Sequence, residues 1–244
     1  MKVGTDSLIL GSWCPLPTAS AALRVLDVGA GCGILSLMLA QRLSQAGQAF
    51  QIDALELDAG AVADARDNVT ASDWADKITV IHSAAQAWQQ GDYDLVISNP
   101  PYYPAFSGAA QAQGARRLAR QQQQLSLPTL FAQAQRWLQP EGYLVLVYPQ
   151  AGSAELLDVA ANAGFQLTCR LKVRTTERKA DYLQALQLQR HEAANPVHQN
   201  HVEQGTVEQN LCIRTAAGAY TPAFRALTGA FYLTGQVQPC PEQR

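Results

Sequence analysis

Cysteine is scarce and unpaired in this sequence, and long apolar runs are missing. The five cysteines are scattered, and no two of them are spaced as C-x-x-C. This pattern argues against a disulfide framework and against a metal site, and it predicts a reducing, cytoplasmic environment. No apolar run reaches the ~20 residues that a membrane-spanning helix needs, and the N-terminus lacks the apolar stretch of a signal peptide. We therefore expect neither a metal cofactor nor a membrane partner.

Charge is unevenly distributed, although the net charge is only −2. Residues 1–100 carry 5 basic and 11 acidic side chains, whereas residues 101–190 carry 10 basic and 5 acidic ones. A basic stretch beside a cleft is able to hold phosphates. The counts by themselves favour a simpler explanation, a mixed and solvated surface. If the stretch does bind nucleic acid, its candidate contacts are Arg116, Arg117, Arg120, Arg174, Arg178 and Lys179.

Short apolar runs alternate with segments of helical periodicity along the chain. Strands are predicted at Arg24–Val28, Gln51–Leu57, Ile78–His82, Tyr93–Ser98, Tyr143–Tyr148, Gln166–Val173 and Tyr182–Gln189, with Val207–Arg214 as a candidate last strand. Helices are predicted at Gly33–Gln45, Ala59–Thr70, Leu127–Leu138, Ala154–Ala163 and Ala223–Tyr232. This alternation predicts an α/β fold with a mostly parallel, seven-stranded sheet and helices on both faces.

The length of the chain suits one domain spanning residues 1–244. Residues 139–142 are expected to form a turn, and residues 190–210 an exposed polar connection. Residues 8–11 are expected to start a short helix that is capped by Thr5 or Asp6.

A glycine loop follows the first predicted strand. Gly29, Gly31 and Gly33 form G-x-G-x-G, and Ile34 stands where the dinucleotide fingerprint needs Gly or Ala, which weakens a nicotinamide interpretation. Glu56 ends the second predicted strand, 23 residues after Gly33. This spacing is close to the ~20 residues expected of an acid that bonds ribose hydroxyls. The loop and the acid together predict a site for a cofactor that carries a nucleoside.

Asp27 lies at the end of the same predicted strand, just before the glycine loop. We expect its carboxylate to accept hydrogen bonds from the N–H groups of the loop, or to contact the amino-acid end of the cofactor through water. The alternative is a purely structural cap, and the two roles are compatible.

The tetrapeptide Asn99-Pro100-Pro101-Tyr102 follows the apolar strand that ends at Ser98. An exocyclic amine on adenine is a poor nucleophile because its lone pair is delocalised into the ring. The side-chain oxygen of Asn99 and the carbonyl of Pro100 would accept hydrogen bonds from the two N–H groups of this amine, while Tyr102 stacks on the base. Together with the glycine loop, these residues predict an amino-group methyltransferase that uses S-adenosylmethionine.

The sequence resembles the bacterial tRNA(Val) adenine-N6 methyltransferase family over nearly its full length. The matching segments are residues 2–6, residues 27–31, Glu56, residues 97–103, residues 119–120 and residues 220–233. The resemblance implies a Rossmann-like class I methyltransferase whose first 20 residues line the cofactor site. It assigns the cofactor to Val3, Gly4, Thr5, Asp6, Asp27, Gly29, Ala30, Gly31, Gly33, Glu56 and Asn99, and the target adenine to Asn99, Pro100, Pro101 and Tyr102. Ala84 replaces an Asp that often binds the adenine of the cofactor, so we expect Ser83 or a backbone group to serve instead, or the affinity for the cofactor to be lower.

The expected function is methyl transfer from S-adenosylmethionine to N6 of an adenine in tRNA, beside the anticodon of tRNA(Val), by a monomer. Two alternatives remain open. A protein glutamine N5-methyltransferase also uses Asn-Pro-Pro-Tyr to hold an amide nitrogen, although such enzymes usually carry a separate N-terminal helical domain. An RNA-binding protein with a decayed cofactor site is the second.

Overall fold

One eight-stranded sheet forms the centre of the protein. The computed structural model describes residues 4–18, 21–100, 125–191 and 205–232. The strands are β1 (Leu23–Val28), β2 (Phe50–Glu56), β3 (Ile78–His82), β4 (Tyr93–Ser98), β5 (Leu138–Pro149), β6 (Phe165–Thr176), β7 (Leu183–Arg190) and β8 (Val207–Arg214). Their order in the sheet is β3-β2-β1-β4-β5-β7-β6-β8.

Helices cover both faces of the sheet, as the sequence predicts. They are α1 (Thr5–Trp13), α2 (Ile34–Gln45), α3 (Ala59–Thr70), α4 (Leu127–Trp137), α5 (Ser153–Asn162) and α6 (Pro222–Thr228). Side chains alternate along β4, so that Leu95 and Ile97 join one apolar cluster and Val96 the other. The first cluster includes residues of α1, α2, α3 and α6, and the second includes residues of α4 and α5. Both faces of the central strands are therefore buried.

Three helices begin at side chains that accept a hydrogen bond from the first turn. Asp58 accepts from the Ala61 N–H before α3, Ser126 from the Thr129 N–H before α4, and Thr221 from the N–H of the third helical residue of α6. Such caps satisfy N–H groups that have no partner inside the helix. In contrast, α1 begins after Gly4 without a side-chain cap, so the predicted cap by Thr5 or Asp6 is wrong.

The strand directions bring several strand ends to one edge of the sheet. β1 pairs in parallel with β2 and β4, β2 with β3, and β4 with β5. β7 runs antiparallel to both β5 and β6, and β6 is parallel to β8. We call the edge where β1–β6 and β8 end and where β7 begins the carboxyl edge. In an open α/β sheet, ligands bind at this edge.

Two expectations about the sheet are corrected. Within the described residues the sheet has eight strands rather than seven, because β8 pairs with β6 from Cys169↔Val207 onwards. Only Leu211 and Ile213 of β8 are buried, so this strand lacks the apolar run of a central strand. The predicted turn at 139–142 belongs to β5, where Glu141 adopts a φ of 63° and the pairing with β4 shifts register. A local irregularity, and not a chain reversal, absorbs these turn-forming residues.

The predicted connection at 190–210 is shorter on both sides, because Arg190 ends β7 and residues 207–210 belong to β8. Residues 192–204 lie outside the described residues. In the described ranges, no helix has the length and apolar character to cross a membrane.

Candidate functional site

The glycine loop between β1 and α2 adopts a tight left-handed path. Gly29, Gly31 and Gly33 have φ angles of 75°, 58° and 81°, values at which any other L-residue is strained. The Gly33 N–H closes the loop by donating to the Ala30 carbonyl at 2.8 Å. A Cβ atom placed on Gly29 would meet no atom of the described residues within 4 Å. The backbone at Gly29 therefore faces open space, which a ligand is able to approach closely.

The Glu56 carboxylate at the end of β2 ties this loop to the neighbouring strand. Its Oε2 accepts from the Gly31 N–H at 2.8 Å, and its Oε1 accepts from the Leu57 and Asp58 N–H groups, each at 2.8 Å. A carboxylate offers about four lone-pair positions, of which these bonds use three. Glu56 is thus held in one orientation and retains acceptor capacity for a hydroxyl group.

The Asp27 carboxylate is fully buried between β1 and the start of α2. Its Oδ2 accepts from the Ser36 N–H at 3.1 Å and from the Ser36 hydroxyl at 2.7 Å, so it caps α2 from outside the helix. Its Oδ1 has no hydrogen-bond partner among the described residues. Burial raises the pKa of Asp27 to about 6; the bonds from Ser36 act against this shift, and the charge of Glu56 adds to it. Of the described hydrogen bonds, the one from the Gly31 N–H goes to Glu56 rather than to Asp27.

Asn99 stands directly after β4, one strand from the glycine loop. Its Nδ2 donates to the Ser7 hydroxyl at 2.8 Å, a contact between residues 92 positions apart. The Ser98 hydroxyl donates to the Val28 carbonyl at 2.8 Å and so joins the end of β4 to the end of β1. Pro100 is buried behind Asn99. The other two residues of the tetrapeptide, Pro101 and Tyr102, lie outside the described residues.

The first turn of α1 closes the site on the side of Asn99. Thr5 is exposed, whereas Asp6 is half-buried, and burial raises the pKa of its carboxyl group. Gly4 precedes this turn as the N-cap residue. Val3, which the resemblance also assigns to the cofactor, lies outside the described residues.

Ser83 follows β3 at the carboxyl edge, beside the end of β2. Its N–H donates to the Glu56 carbonyl at 3.0 Å, and its hydroxyl donates to the Ala84 carbonyl at 3.1 Å. The hydroxyl oxygen retains acceptor capacity. Ser83 therefore lies next to Glu56, where its expected role in cofactor binding needs it.

The basic candidates differ in their availability for a ligand. Arg174 Nε donates to the Asp181 carboxylate at 2.9 Å, whereas Arg178 and Lys179 are exposed in the turn between β6 and β7. This turn lies at the carboxyl edge, because β6 ends there. Arg116, Arg117 and Arg120 lie outside the described residues.

Sequence reasoning missed two side chains at this edge, Ser7 and Tyr182. Ser7 directly precedes the helical run predicted to start at residues 8–11, and nothing in a local pattern reveals a contact that spans 92 positions. Tyr182 is 39% exposed just before β7. Burial and the charge of Asp6 raise its pKa, and α1 contacts β7, so the β6–β7 turn and the start of α1 are close together. The antiparallel direction of β7 brings Tyr182 to this edge.

The carboxyl edge thus combines the backbone of Gly29, which a ligand is able to approach closely, with the oriented carboxylate of Glu56 and the oriented carboxamide of Asn99. These groups suit a polar, nucleoside-like ligand beside β1 and β2, and they present an amide beside β4. Among the described residues, no cluster of His, Cys, Asp and Glu side chains is able to hold a metal ion.

Replacing Asp27 with Asn will change how stability depends on pH. The folded-state pKa of about 6 lies above the ordinary value of 3.8, so the folded protein binds this proton more tightly than the unfolded chain. The free energy of unfolding of the wild type therefore loses about 3 kcal/mol through this group between pH 4 and pH 6. Asn keeps an oxygen for Ser36 and does not titrate. Urea unfolding at several pH values will show Asp27→Asn gaining stability relative to wild type as pH rises; parallel curves would contradict this prediction.

Comparison with known proteins gives consistent results. The sequence matches the methyltransferase small domain family over residues 10–157, more than half of the chain. The tRNA1(Val) (adenine(37)-N6)-methyltransferase of Tolumonas auensis is 42% identical over 233 residues, which cover 96% of this chain and 90% of the relative. The enzyme of the same name from Aeromonas hydrophila is 41% identical and covers 96% of this chain and 91% of the relative.

The crystal structure of a predicted O-methyltransferase from Agrobacterium tumefaciens shares the fold. It superposes with a TM-score of 0.65 at 17% identity and covers 92% of this chain and 96% of that protein. The Rossmann-like fold expected from the sequence is thereby confirmed. Identity above 40% over almost the full length of both chains also decides the family: the protein belongs to the tRNA1(Val) (adenine(37)-N6)-methyltransferases.

Proposed function

We propose that this protein transfers a methyl group from S-adenosylmethionine to N6 of adenine 37 in tRNA(Val). One observation carries the proposal: Asn99 stands at the end of β4, directly beside β1 and its glycine loop. An amide able to grip an exocyclic amine therefore lies next to a loop able to bind a nucleoside-bearing cofactor. The names of the relatives, at 41–42% identity, support the choice of base and of tRNA.

The described residues fit S-adenosylmethionine. The open space at Gly29 admits a ligand against the backbone, and Glu56 has acceptor capacity for ribose hydroxyls. The unpartnered Oδ1 of Asp27 is an acceptor beside the start of α2, suited to the amino-acid end. When bound, the cofactor supplies an electrophilic methyl group on a sulfonium, which is already a good leaving group.

The residues after β4 orient the amine. The side-chain oxygen of Asn99 and the carbonyl of Pro100 accept hydrogen bonds from the two N–H groups of the amine. These bonds draw the nitrogen toward tetrahedral geometry. Its lone pair is then aimed at the methyl group, and orientation supplies much of the rate. Proline's restricted φ helps to fix the direction of the Pro100 carbonyl. Stacking of the base on Tyr102 remains a prediction from the sequence.

Replacing Gly29 with Ala will weaken cofactor binding through the added methyl group. The residue has a φ of 75°, and the new methyl would project into the space that the ligand needs. We expect at least a tenfold rise in the Kd for S-adenosylmethionine, measured by titration calorimetry.

Gly47→Ala is the matched control for this experiment. Gly47 has a φ of 68°, and in the part of the chain that the structure describes a Cβ there also meets nothing within 4 Å. It lies in the turn before β2, at the opposite edge. Both variants will lose about 1–2 kcal/mol of unfolding free energy through left-handed strain. Equal Kd values for the two variants would exclude Gly29 from the cofactor site.

Replacing Asn99 with Ala will slow methyl transfer about 10²-fold or more, because an oriented hydrogen bond to the reacting group is lost. The assay uses labelled S-adenosylmethionine with unmodified tRNA, and the digested product is identified by mass as N6-methyladenosine. Asn162→Ala, at the exposed end of α5, removes an amide far from the site and will keep the wild-type rate.

A glutamine-bearing release factor is offered in parallel with the tRNA. Label in that protein would favour the glutamine methyltransferase, and an Asn99→Ala variant at full rate would refute the mechanism. Absence of cofactor binding in calorimetry would favour the protein with a decayed site.

The turn between β6 and β7 is proposed to contact the tRNA backbone. Arg178 and Lys179 are exposed there, and Tyr182 presents part of its ring at the same edge. Arg174 is a weaker candidate because Asp181 holds it. We also propose that residues 1–244 form one domain that acts as a monomer in the cytoplasm, where its tRNA substrate is found.

Replacing both Arg178 and Lys179 with Ala will weaken tRNA binding and reduce its salt dependence. Each lost phosphate contact lowers the slope of log K against log salt by roughly 0.7–0.9. Filter binding at four salt concentrations measures this slope. Lys77→Ala, just before the start of β3 and so at the opposite edge, will leave the slope unchanged. An unchanged slope in the double variant would exclude this turn from the interface.

A further inference from the structure

The carboxamide of Asn99 is held from a distant part of the chain. The Ser7 hydroxyl accepts a hydrogen bond from Asn99 Nδ2 at 2.8 Å. Ser7 lies in the first turn of α1, half-buried, and its contact bridges the helix and the end of β4. The family comparison and the sequence motifs give this serine no role.

Ser7 is held in place because α1 is attached to the rest of the fold. Ile9 and Leu10 of this helix are completely buried in the apolar cluster. Arg42 of α2 donates to the carbonyls of Gly11 and Cys14, each at 2.8 Å. A helix buried along one side and clamped at its C-terminal end presents the Ser7 hydroxyl at a fixed place.

Trp13 adds a second attachment at the same end of α1. Its Nε1 donates to the Gln209 side-chain oxygen of β8 at 2.7 Å. The helix is therefore joined both to α2 and to the last strand of the sheet.

The orientation of the amide matters because its two ends have the same shape and opposite chemistry. An oxygen accepts a hydrogen bond from an exocyclic amine. An NH₂ group in the same place would put two hydrogen-bond donors against each other. Rotation by 180° about the last side-chain bond exchanges the two ends. With Nδ2 bonded to Ser7, the oxygen is the end that is turned away from α1.

We propose that Ser7 is a positioning residue for the methyl-transfer step. It holds the nitrogen end of the Asn99 amide against α1, and the oxygen end thereby accepts from the target amine. This inference rests on the proposed function, since it assigns Asn99 to the amine of the substrate. Ser7 itself does not touch the substrate.

The test compares three single variants at saturating S-adenosylmethionine and tRNA. Ser7→Ala removes the hydroxyl and will lower the single-turnover rate of N6-methyladenosine formation about three- to tenfold, the range of one neutral hydrogen bond. Ser7→Thr restores a hydroxyl on the same Cβ and will recover most of the rate. The Kd for S-adenosylmethionine will stay within twofold of wild type in both.

Ser12→Ala is the matched control. Ser12 lies on the same helix and is buried, and its hydroxyl has no hydrogen-bond partner among the described residues. The same chemical change there will leave the rate at the wild-type value. A rate loss equal to that of Ser7→Ala would indicate a general effect on α1 and would overturn the proposal.

A double-mutant cycle separates positioning from a structural role. In the Asn99→Ala background there is no amide to orient, so Ser7→Ala will cause no further loss of rate. Independent, multiplicative losses, or a wild-type rate in Ser7→Ala alone, would overturn the proposal. A wild-type protein that binds the cofactor but forms no N6-methyladenosine in tRNA would refute the proposed function, and the role of Ser7 with it.

Discussion

The parallel pairing of β1 with both of its neighbours is the constraint on which the site depends. β2 and β4 flank β1 in the same direction, so the glycine loop, Glu56 and Asn99 all follow strands that end at one edge. The backbone N–H groups of Gly29 and Ala30 both donate to the Leu55 carbonyl at 2.9 Å, which fixes the loop against β2. Without this arrangement, the same residues would be separate turns on a surface.

Charge in the site is held by hydrogen bonds whose donors are mostly backbone amides. Glu56 gathers three N–H groups from its own strand end and from the loop, and Asp27 caps α2 through Ser36. The two carboxylates are not equivalent, because Asp27 is completely buried and its pKa is raised to about 6. Burying an acceptor without a full set of partners costs free energy. A ligand that donates a hydrogen bond from an amino group would supply the partner that Oδ1 of Asp27 lacks, which gives a reason for a buried carboxylate at this position.

The amide of Asn99 shows how a local motif acquires its geometry from elsewhere. The tetrapeptide itself specifies an amide, a rigid carbonyl and an aromatic ring. The side chain that contacts the amide belongs to α1, which is attached to α2 by Arg42 and to β8 by Trp13. The orientation of the Asn99 amide at the carboxyl edge therefore depends on how α1 packs on one face of the sheet, and α1 is far from the tetrapeptide in sequence.

Local patterns along the chain were sufficient for much of the fold. The limits of α3, the existence of β1 to β4 and the position of the glycine loop follow from apolar runs, helical period and glycine spacing, which act over neighbouring residues. The strand β8 lies at Val207–Arg214, as predicted, but the sequence indicates it only as a candidate because just Leu211 and Ile213 of it are buried. Residues 139–142 look like a turn, yet they lie within β5, between Leu138 and Tyr143, which both pair with β4.

The sequence by itself determined which chemical groups are present and at which strand ends they stand: a glycine loop, an acid after the second strand and an amide after the fourth. It did so because strand, loop and helix signals are local. Only the tertiary structure decided that Ser7 meets Asn99, that Glu56 rather than Asp27 receives the loop N–H of Gly31, and that Tyr182 lies at the same edge. These outcomes depend on strand order, strand direction and helix packing, which join residues far apart in the chain and leave no periodic trace in it.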